Sequence, residues 1–355
     1  MLDFVKEKKT VWQILKETKK PIAVYGMGDG ADKIFNVFEK FNIKADAVFA
    51  SDEFVRGHSF HGFLVEKLSQ VKERLNDFVI VVSFATQREE VLERIFSLSQ
   101  TFELYAPDVP VAGDGLFDLD FVTENEEKIK KVYDSLADED SKKVFEDVIN
   151  FKISGKVKYL AQNISTRGEI YSLLNLNSNE HFLDLGAYNG DTIKQFLTSC
   201  ENKYERITAL EPDIRNYKKL DAFLKEIKNA TAYNLGAHSN KDTLIFASRG
   251  GRNSSLFKNG KEVKVEVDSV DNLLKDNPPT VIKFDVEGNE KNAINGCENT
   301  IKKNAPRLLI AAYHRNEDIF SIPLQIIEFN ENYKIYLRRE AYIPAWEINF
   351  IFKEN

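Results

Sequence analysis

FLDLGAYNGDT, Phe182 to Thr192, constrains this chain more than any other stretch. A short apolar run passes through Asp184, breaks at Gly186 and Gly190, and gives way directly to the amphipathic IKQFLTSC. The order strand, glycine turn, helix start sets backbone N–H groups and a helix N-terminus at one spot. A second apolar segment, ITALEPD, ends on Glu211, about twenty residues further on, where an acid reaches the hydroxyls of a ribose. The ligand read from this pattern is a nucleoside.

The residues of the turn narrow the choice. The dinucleotide fingerprint G-x-G-x-x-G uses its second glycine to let the backbone touch a pyrophosphate; here Tyr188 stands at that position. Asp184, two residues before Gly186, would repel a phosphate and suits a cation. S-adenosylmethionine (SAM) carries an ammonium group, a sulfonium and a ribose but no phosphate. Asp184, Gly186, Ala187, Tyr188, Gly190, Asp191, Thr192 and Glu211 are therefore the expected cofactor-binding residues.

The chain has 355 residues, 43% hydrophobic and 30% charged, enough for two domains that each bury a core. A net charge of −7 and the lack of a long basic run argue against a nucleic-acid partner. The two cysteines, Cys200 and Cys297, have no metal-ligand or redox spacing and read as packing thiols in a reducing compartment. No run approaches the roughly 20 residues needed to span a bilayer, and the N-terminus has no apolar leader segment. A cytoplasmic protein without a transmembrane segment is expected.

The N-terminal half repeats the α/β grammar. The first twenty residues read as an amphipathic helix that Pro21 stops. PIAVYGMGDGADKIFNVFEKF reads as strand, glycine turn and helix, with Gly26, Gly28 and Ala31 fitting G-x-G-x-x-A. A strand over residues 45–49 leads to Asp52, a ribose-binding acid by position, and FVIVVSFAT precedes the helical QREEVLERIFSLS. Alternating strands and helices predict a small parallel-sheet, Rossmann-like domain over 1–115. A glycine turn alone is weak evidence that this domain binds a nucleotide or nucleotide sugar. His58 and His61 lie in a loop without the further ligands that a metal would need.

Residues 116–164 read as a helical linker, with two amphipathic helices across the charge-dense 124–150. Tyr159, Gln162 and Asn163 are candidate walls of the cofactor cleft, by proximity in sequence alone. The remainder, 165–355, is the second domain. Within it TLIFAS and KVEVDSV suggest an extra antiparallel pair, and between them Arg249 and Arg252 are suited to grip an anionic substrate.

TVIKFDVEGNE places Asp285 and Glu287 at the C-terminal end of a buried strand, the edge at which open α/β sheets bind ligands. At positions i and i+2 the two carboxylates share a face for as long as the strand persists. Such a pair can activate a hydroxyl, orient a substrate or bind a divalent cation. Glu290 falls in the first helical turn, where it complements the dipole. The buried strand PRLLIAAYH delivers His314 to the same edge as a candidate base. YKIYLRRE and EINFIFKE close the sheet as an antiparallel pair.

Through FLDLGAYNGDT, ALEPD, VEVDSVDNLL, IKFDVEGNE with NAINGCENTI, and the strand ending in His314, residues 165–355 resemble the FkbM family of SAM-dependent methyltransferases. The resemblance implies a class I methyltransferase sheet with an antiparallel C-terminal edge, SAM as donor, and O-methylation of a hydroxyl on a sugar, surface glycan or other small metabolite. It puts Asp184, Gly186 and Gly190 on the methionine and turn side, and Glu211 on the ribose. Asp285, Glu287 and His314 become the catalytic set; a divalent metal is an open option. The N-terminal domain is more weakly similar to Rossmann-like domains attached to sugar-modifying enzymes. A competing reading is a non-catalytic SAM or nucleotide-sugar module partnering a glycan-modifying enzyme. An NAD-dependent epimerase is disfavoured, because the first domain lacks a Tyr-x-x-x-Lys pair.

Overall fold

The computed structural model describes residues 2–246 and 263–354. Two sheets share one apolar core. The first has the spatial order Ser59–Phe60, Phe63–Lys67, Ala47–Ala50, Ile22–Tyr25, Val79–Val82 and Leu104–Tyr105. All neighbours in it are parallel except the Ser59–Phe60 hairpin edge. The apolar runs IAVY, Ile22–Tyr25, and VIVV, Val79–Val82, are buried at every position, as parallel strands covered by helices on both faces require.

The second sheet has seven strands, ordered Lys334–Arg339, Ile348–Lys353, Arg307–Ala311, Val281–Phe284, His181–Leu185, Arg206–Leu210 and Ala230–Tyr233. The last five are parallel, and the first two are antiparallel to their neighbours. The chain starts in the middle at His181–Leu185, runs out to Ala230–Tyr233, then returns to Val281–Phe284 on the other side. The topological switch point therefore lies between the ends of His181–Leu185 and Val281–Phe284, where such sheets open a crevice. As expected, Asp242–Phe246 pairs antiparallel with Val263–Asp268 in a small separate sheet. Arg249 and Arg252 lie outside the described residues.

The start of the chain departs from the expected long helix. Only Val11–Glu17 is helical, because Thr10 and Gln13 form a capping box there. Residues before it form a turn closed by Val5 N–H on the Leu2 carbonyl: Leu2, Phe4 and Val5 are buried, and Asn150 Oδ1 accepts the N–H groups of Lys6 and Glu7. The middle segment contains three helices, Leu119–Glu124, Glu126–Ser135 and Glu139–Ser154. Asp138 caps the third, accepting the Ser141 N–H and thereby separating it from the second.

These helices lie against the second sheet. Arg338 Nη2 pairs with Asp138 at 2.6 Å, and Leu337 N–H donates to Ser141 Oγ at 2.9 Å. One apolar cluster runs from Ala23 and Ile80 through Phe145 and Phe151 to Phe284 and Ile310, joining both sheets. Each large apolar side chain buried there contributes about 1.5–3 kcal/mol relative to exposure. Tyr159, Gln162 and Asn163 have partners other than the residues of the glycine turn. Tyr159 donates to Glu7, Asn163 to Asp147, and the Gln162 carbonyl accepts from Arg339.

Candidate active site

Gly186 leaves the His181–Leu185 strand at φ +82°, and a Cβ there would lie 1.9 Å from the Asp285 carbonyl oxygen. Glycine is thus demanded by the contact between the two loops that frame the switch point. The N–H groups of Gly186 and Ala187 both donate to the Leu210 carbonyl. Gly190, at φ +87°, starts the helix Asp191–Ser199, and a Cβ there would strike the Phe223 ring at 2.6 Å. Thr192 is half-buried in the first turn, and its N–H is taken by the Asp191 carboxylate at 2.9 Å. Tyr188 is the exposed residue of the turn, held at φ +48°.

Glu211 fixes that turn from below. One carboxylate oxygen accepts the Tyr188 N–H and the other the Asp213 N–H, each at 2.8 Å. Burial raises its pKa to about 7 against the pull of those two N–H donors. Asp184 is sealed in the interior, and neither of its oxygens has a hydrogen-bond partner. Its register partner across the switch point is Lys283, whose ammonium lies 3.6 Å away. Burial lifts Asp184 to about 6, and Lys283 only partly offsets this.

Lys283 is a site residue that sequence reasoning missed. It also lies 3.3 Å from Asp285 Oδ2, bridging the two acids. Burial works against its charge, but Asp285 and Asp184 outweigh burial and raise its pKa. Asp285 is depressed despite its own burial, because Lys283 and His314 face it. The lone basic residue inside VIKF was the available signal.

The strand ends at Phe284, so the shared face expected of Asp285 and Glu287 does not arise from strand geometry. Glu287 and Gly288 instead form a turn at φ +55° and +92°, and Glu287 projects into solvent. His314 is what brings them together. Its Nε2 lies 3.4 Å from Asp285 Oδ1 and 3.7 Å from Glu287 Oε2. The imidazole is buried, tilted against the Tyr313 ring at 4.2 Å.

Behind it sits Glu290, wholly buried. Glu290 Oε1 accepts the N–H groups of Val286 and Gly288 and lies 3.0 Å from His314 Nδ1. The Nδ1 contact lacks hydrogen-bond alignment, and Glu290 Oε2 has no partner. Glu290 is therefore more than a dipole complement: it faces the base candidate on the side away from Asp285. Burial disfavours a charged His314, yet Glu290, Asp285 and Glu287 together raise it to about 9. Nearby Asp318 is pushed up to about 7 by burial and by Glu290.

The mouth has two further walls. Tyr313, Trp346 and Tyr342 form an aromatic row, with ring centroids 6.1 and 5.6 Å apart. The other wall comes from the N-terminal half: Ala112 N–H donates to the His314 carbonyl at 2.8 Å. Lys33 holds the preceding carbonyls of Pro110 and Val111.

A switch-point glycine turn on a parallel sheet with an antiparallel C-terminal edge defines a class I methyltransferase fold. Residues 184–340 match the family model of the methyltransferase FkbM domain, so the C-terminal half of the chain carries an FkbM-type methyltransferase domain. The crystal structure of a methyltransferase FkbM from Methylobacillus flagellatus KT is similar over 98% of this chain and 94% of that one, with a TM-score of 0.74 and 19% identity. That likeness extends the shared fold to the N-terminal sheet and the helices between. An rRNA methylase from Streptococcus thermophilus aligns with 53% of this chain and 93% of its own, at 14% identity and a TM-score of 0.36. Aeropyrum pernix fibrillarin, in complex with natively bound S-adenosyl-L-methionine, aligns with 52% of this chain and 72% of its own, at 12% identity and a TM-score of 0.33. No curated protein matches the chain. No helix among the described residues is long and apolar enough to cross a membrane.

Proposed function

We propose that the protein is a SAM-dependent O-methyltransferase acting on a hydroxyl of a sugar, surface glycan or other small metabolite. The observation that carries this reading is the convergence of Asp285 and Glu287 on His314 at the switch-point mouth, 3.4 and 3.7 Å from its Nε2. A non-catalytic SAM or nucleotide-sugar module has no need of that cluster.

The turn residues fit SAM better than a nucleotide. Tyr188 in place of a second glycine and the first-turn carboxylate of Asp191 both disfavour a pyrophosphate. Asp184, Gly186, Ala187, Gly190 and Thr192 shape the methionine side of the cleft in this reading. Glu211, with lone pairs left after its two backbone contacts, takes the ribose hydroxyls. SAM supplies the electrophilic methyl group.

The chain's own residues position the acceptor and its proton. Asp285, kept ionised by Lys283, accepts a neighbouring hydroxyl of the acceptor and so orients the reacting one toward His314. His314 takes the hydroxyl proton in its neutral form. The Tyr313–Trp346–Tyr342 row offers apolar faces on which a sugar ring can stack, which favours a carbohydrate acceptor.

A divalent metal is the weaker alternative. Asp285, Glu290 and His314 offer ligand atoms within 4.8 Å of one another. However, Glu290 Oε1 already accepts two backbone N–H groups, and the two imidazole nitrogens face opposite carboxylates. The arrangement fits an imidazole flanked by carboxylates better than a shared cation. Activity that survives exhaustive EDTA treatment supports the metal-free reading.

Labelled SAM incubated with a panel of sugar nucleotides, extracted glycans and small hydroxylated metabolites tests the function. Asp285→Ala or Glu287→Ala should abolish label transfer while calorimetry still detects SAM binding. Loss of SAM binding in these variants would reassign the carboxylates to the cofactor site.

A further inference from the structure

The C-terminal edge of the N-terminal sheet carries a second cleft, of about 340 Å³, within the size range of small-molecule sites. It opens where the parallel strands Ile22–Tyr25 and Ala47–Ala50 end, between Tyr25, Phe49, Ser51, Asp52, Arg94 and Leu98. Tyr25 and Phe49, both buried, stack beneath it with centroids 4.6 Å apart and planes 9° apart. Its polar side is organised: Tyr25 Oη and Arg94 Nη1 both lie 2.8 Å from Ser51 Oγ. Asp52 stands exposed at the rim, two residues past the second strand, where a carboxylate reaches ribose hydroxyls.

The adjoining glycine turn supplies an independent observation. Gly26 and Gly30 are explained by packing, since Cβ atoms there would lie 2.6 Å from Ser83 Oγ and 2.3 Å from the Ser83 carbonyl. Gly28 is not. Its φ of −117° suits any residue, and a Cβ would meet nothing within 4 Å. Yet it starts the 13-residue helix Asp29–Phe41 without a side-chain cap. Open space at an uncapped helix start is what close approach of a pyrophosphate needs. Each first-turn acid has a nitrogen partner: His61 Nε2 lies 2.8 Å from Asp32 Oδ1, and Lys33 Nζ 4.0 Å from Asp29 Oδ2. His58, 2.7 Å from Met27 Sδ, brings an imidazole beside the turn.

We propose that the N-terminal domain binds a nucleoside diphosphate, with its base and ribose in the Tyr25–Arg94 cleft and its pyrophosphate over Gly28. This site is separate from the SAM cleft and does not depend on the acceptor assigned above. Either an adenine dinucleotide or a nucleotide sugar would present the required chemistry.

Calorimetric titration of the full chain with ADP, NAD, UDP and UDP-glucose tests it. At least one of them should bind with a Kd of about 100 μM or tighter. Gly28→Val should weaken that binding at least about tenfold without changing SAM affinity, because the new side chain enters space the protein leaves open. Arg94→Ala, at an exposed position, should weaken it by about fivefold or more. Binding of ADP and NAD alone identifies a dinucleotide site; binding of UDP and UDP-glucose identifies a sugar-nucleotide site. Failure of all four to bind at millimolar concentration overturns the proposal, as does binding that neither substitution alters. SAM binding and methyl transfer, measured separately, show whether the methyltransferase reading stands regardless.

Discussion

Glu290 Oε1 stands 3.0 Å from His314 Nδ1, with both side chains sealed from solvent. The carboxylate touches neither the mouth nor Asp285, so it acts through the imidazole it faces. Glu290→Gln should lower kcat about 100-fold while leaving SAM affinity unchanged. It should also move the rising limb of the pH–rate profile to lower pH, because Glu290 is the foremost charge raising His314. A purely structural role would lower kcat through lost folded protein and leave the limb where it was.

His314 sets a pH dependence of activity. Its pKa is raised to about 9, so at neutral pH the resting imidazole is charged and cannot accept a proton. The fraction of neutral base, and with it kcat/KM, should rise as pH increases toward 9. A flat profile between pH 6 and 9 would assign proton removal to Asp285.

The same shift has the opposite sign for stability. The folded pKa of about 9 exceeds the ordinary 6.5, so His314 contributes stability that is complete below pH 6.5. The contribution is lost as pH climbs through 9. The gap in Tm between wild type and His314→Gln should therefore narrow from pH 6.5 to 9, as followed by calorimetric melts.

Lys283 holds Asp184 and Asp285 together in the interior. Lys283→Met strands both carboxylates and should cost about 3–5 kcal/mol, the usual cost of leaving a buried charge unpaired. Adding Asp184→Asn should recover part of that loss, since the second substitution removes one stranded charge. Urea titrations of the single and double variants would read the coupling; simple additivity would sink the bridge.

Gly186→Ala should destabilise by at least about 2 kcal/mol, combining a left-handed backbone with a clash against the Asp285 carbonyl. Gly168→Ala is the contrasting case. Its Cβ would meet only Thr166 Oγ1, at 3.9 Å, within the helix Arg167–Leu173. That change should be neutral or stabilising by up to about 1 kcal/mol. Equal urea midpoints for the two variants would contradict this account of the turn.

Much of this was written locally. Strand, glycine turn and helix start are encoded within a dozen or so residues, so FLDLGAYNGDT and IKFDVEGNE could be placed on the sheet edge before any coordinates. His314 followed from the buried strand before it. What sequence left hidden depends on register. Lys283 meets Asp184 only because strands about a hundred residues apart pair at those positions. Glu290 gains its role from a histidine on the next strand, and the strand Phe63–Lys67 is half-buried with no clean alternation to mark it. Glu287 reaches His314 from a backbone turn at positive φ rather than from a strand face, which two-residue spacing alone does not reveal.

The Ala112 segment gives the molecule a seam that cannot be cut cleanly. A Cβ at Gly288 would lie 2.5 Å from the Ala112 Cβ, and Arg315 Nε donates to the Gly288 carbonyl at 2.6 Å. The turn that carries Glu287 is therefore moulded against a residue supplied by the other half of the chain. In chimeras between relatives, the piece carrying position 112 and the piece carrying position 288 form one inherited unit. A crossover placed between them joins halves shaped on different partners, however well each half folds alone.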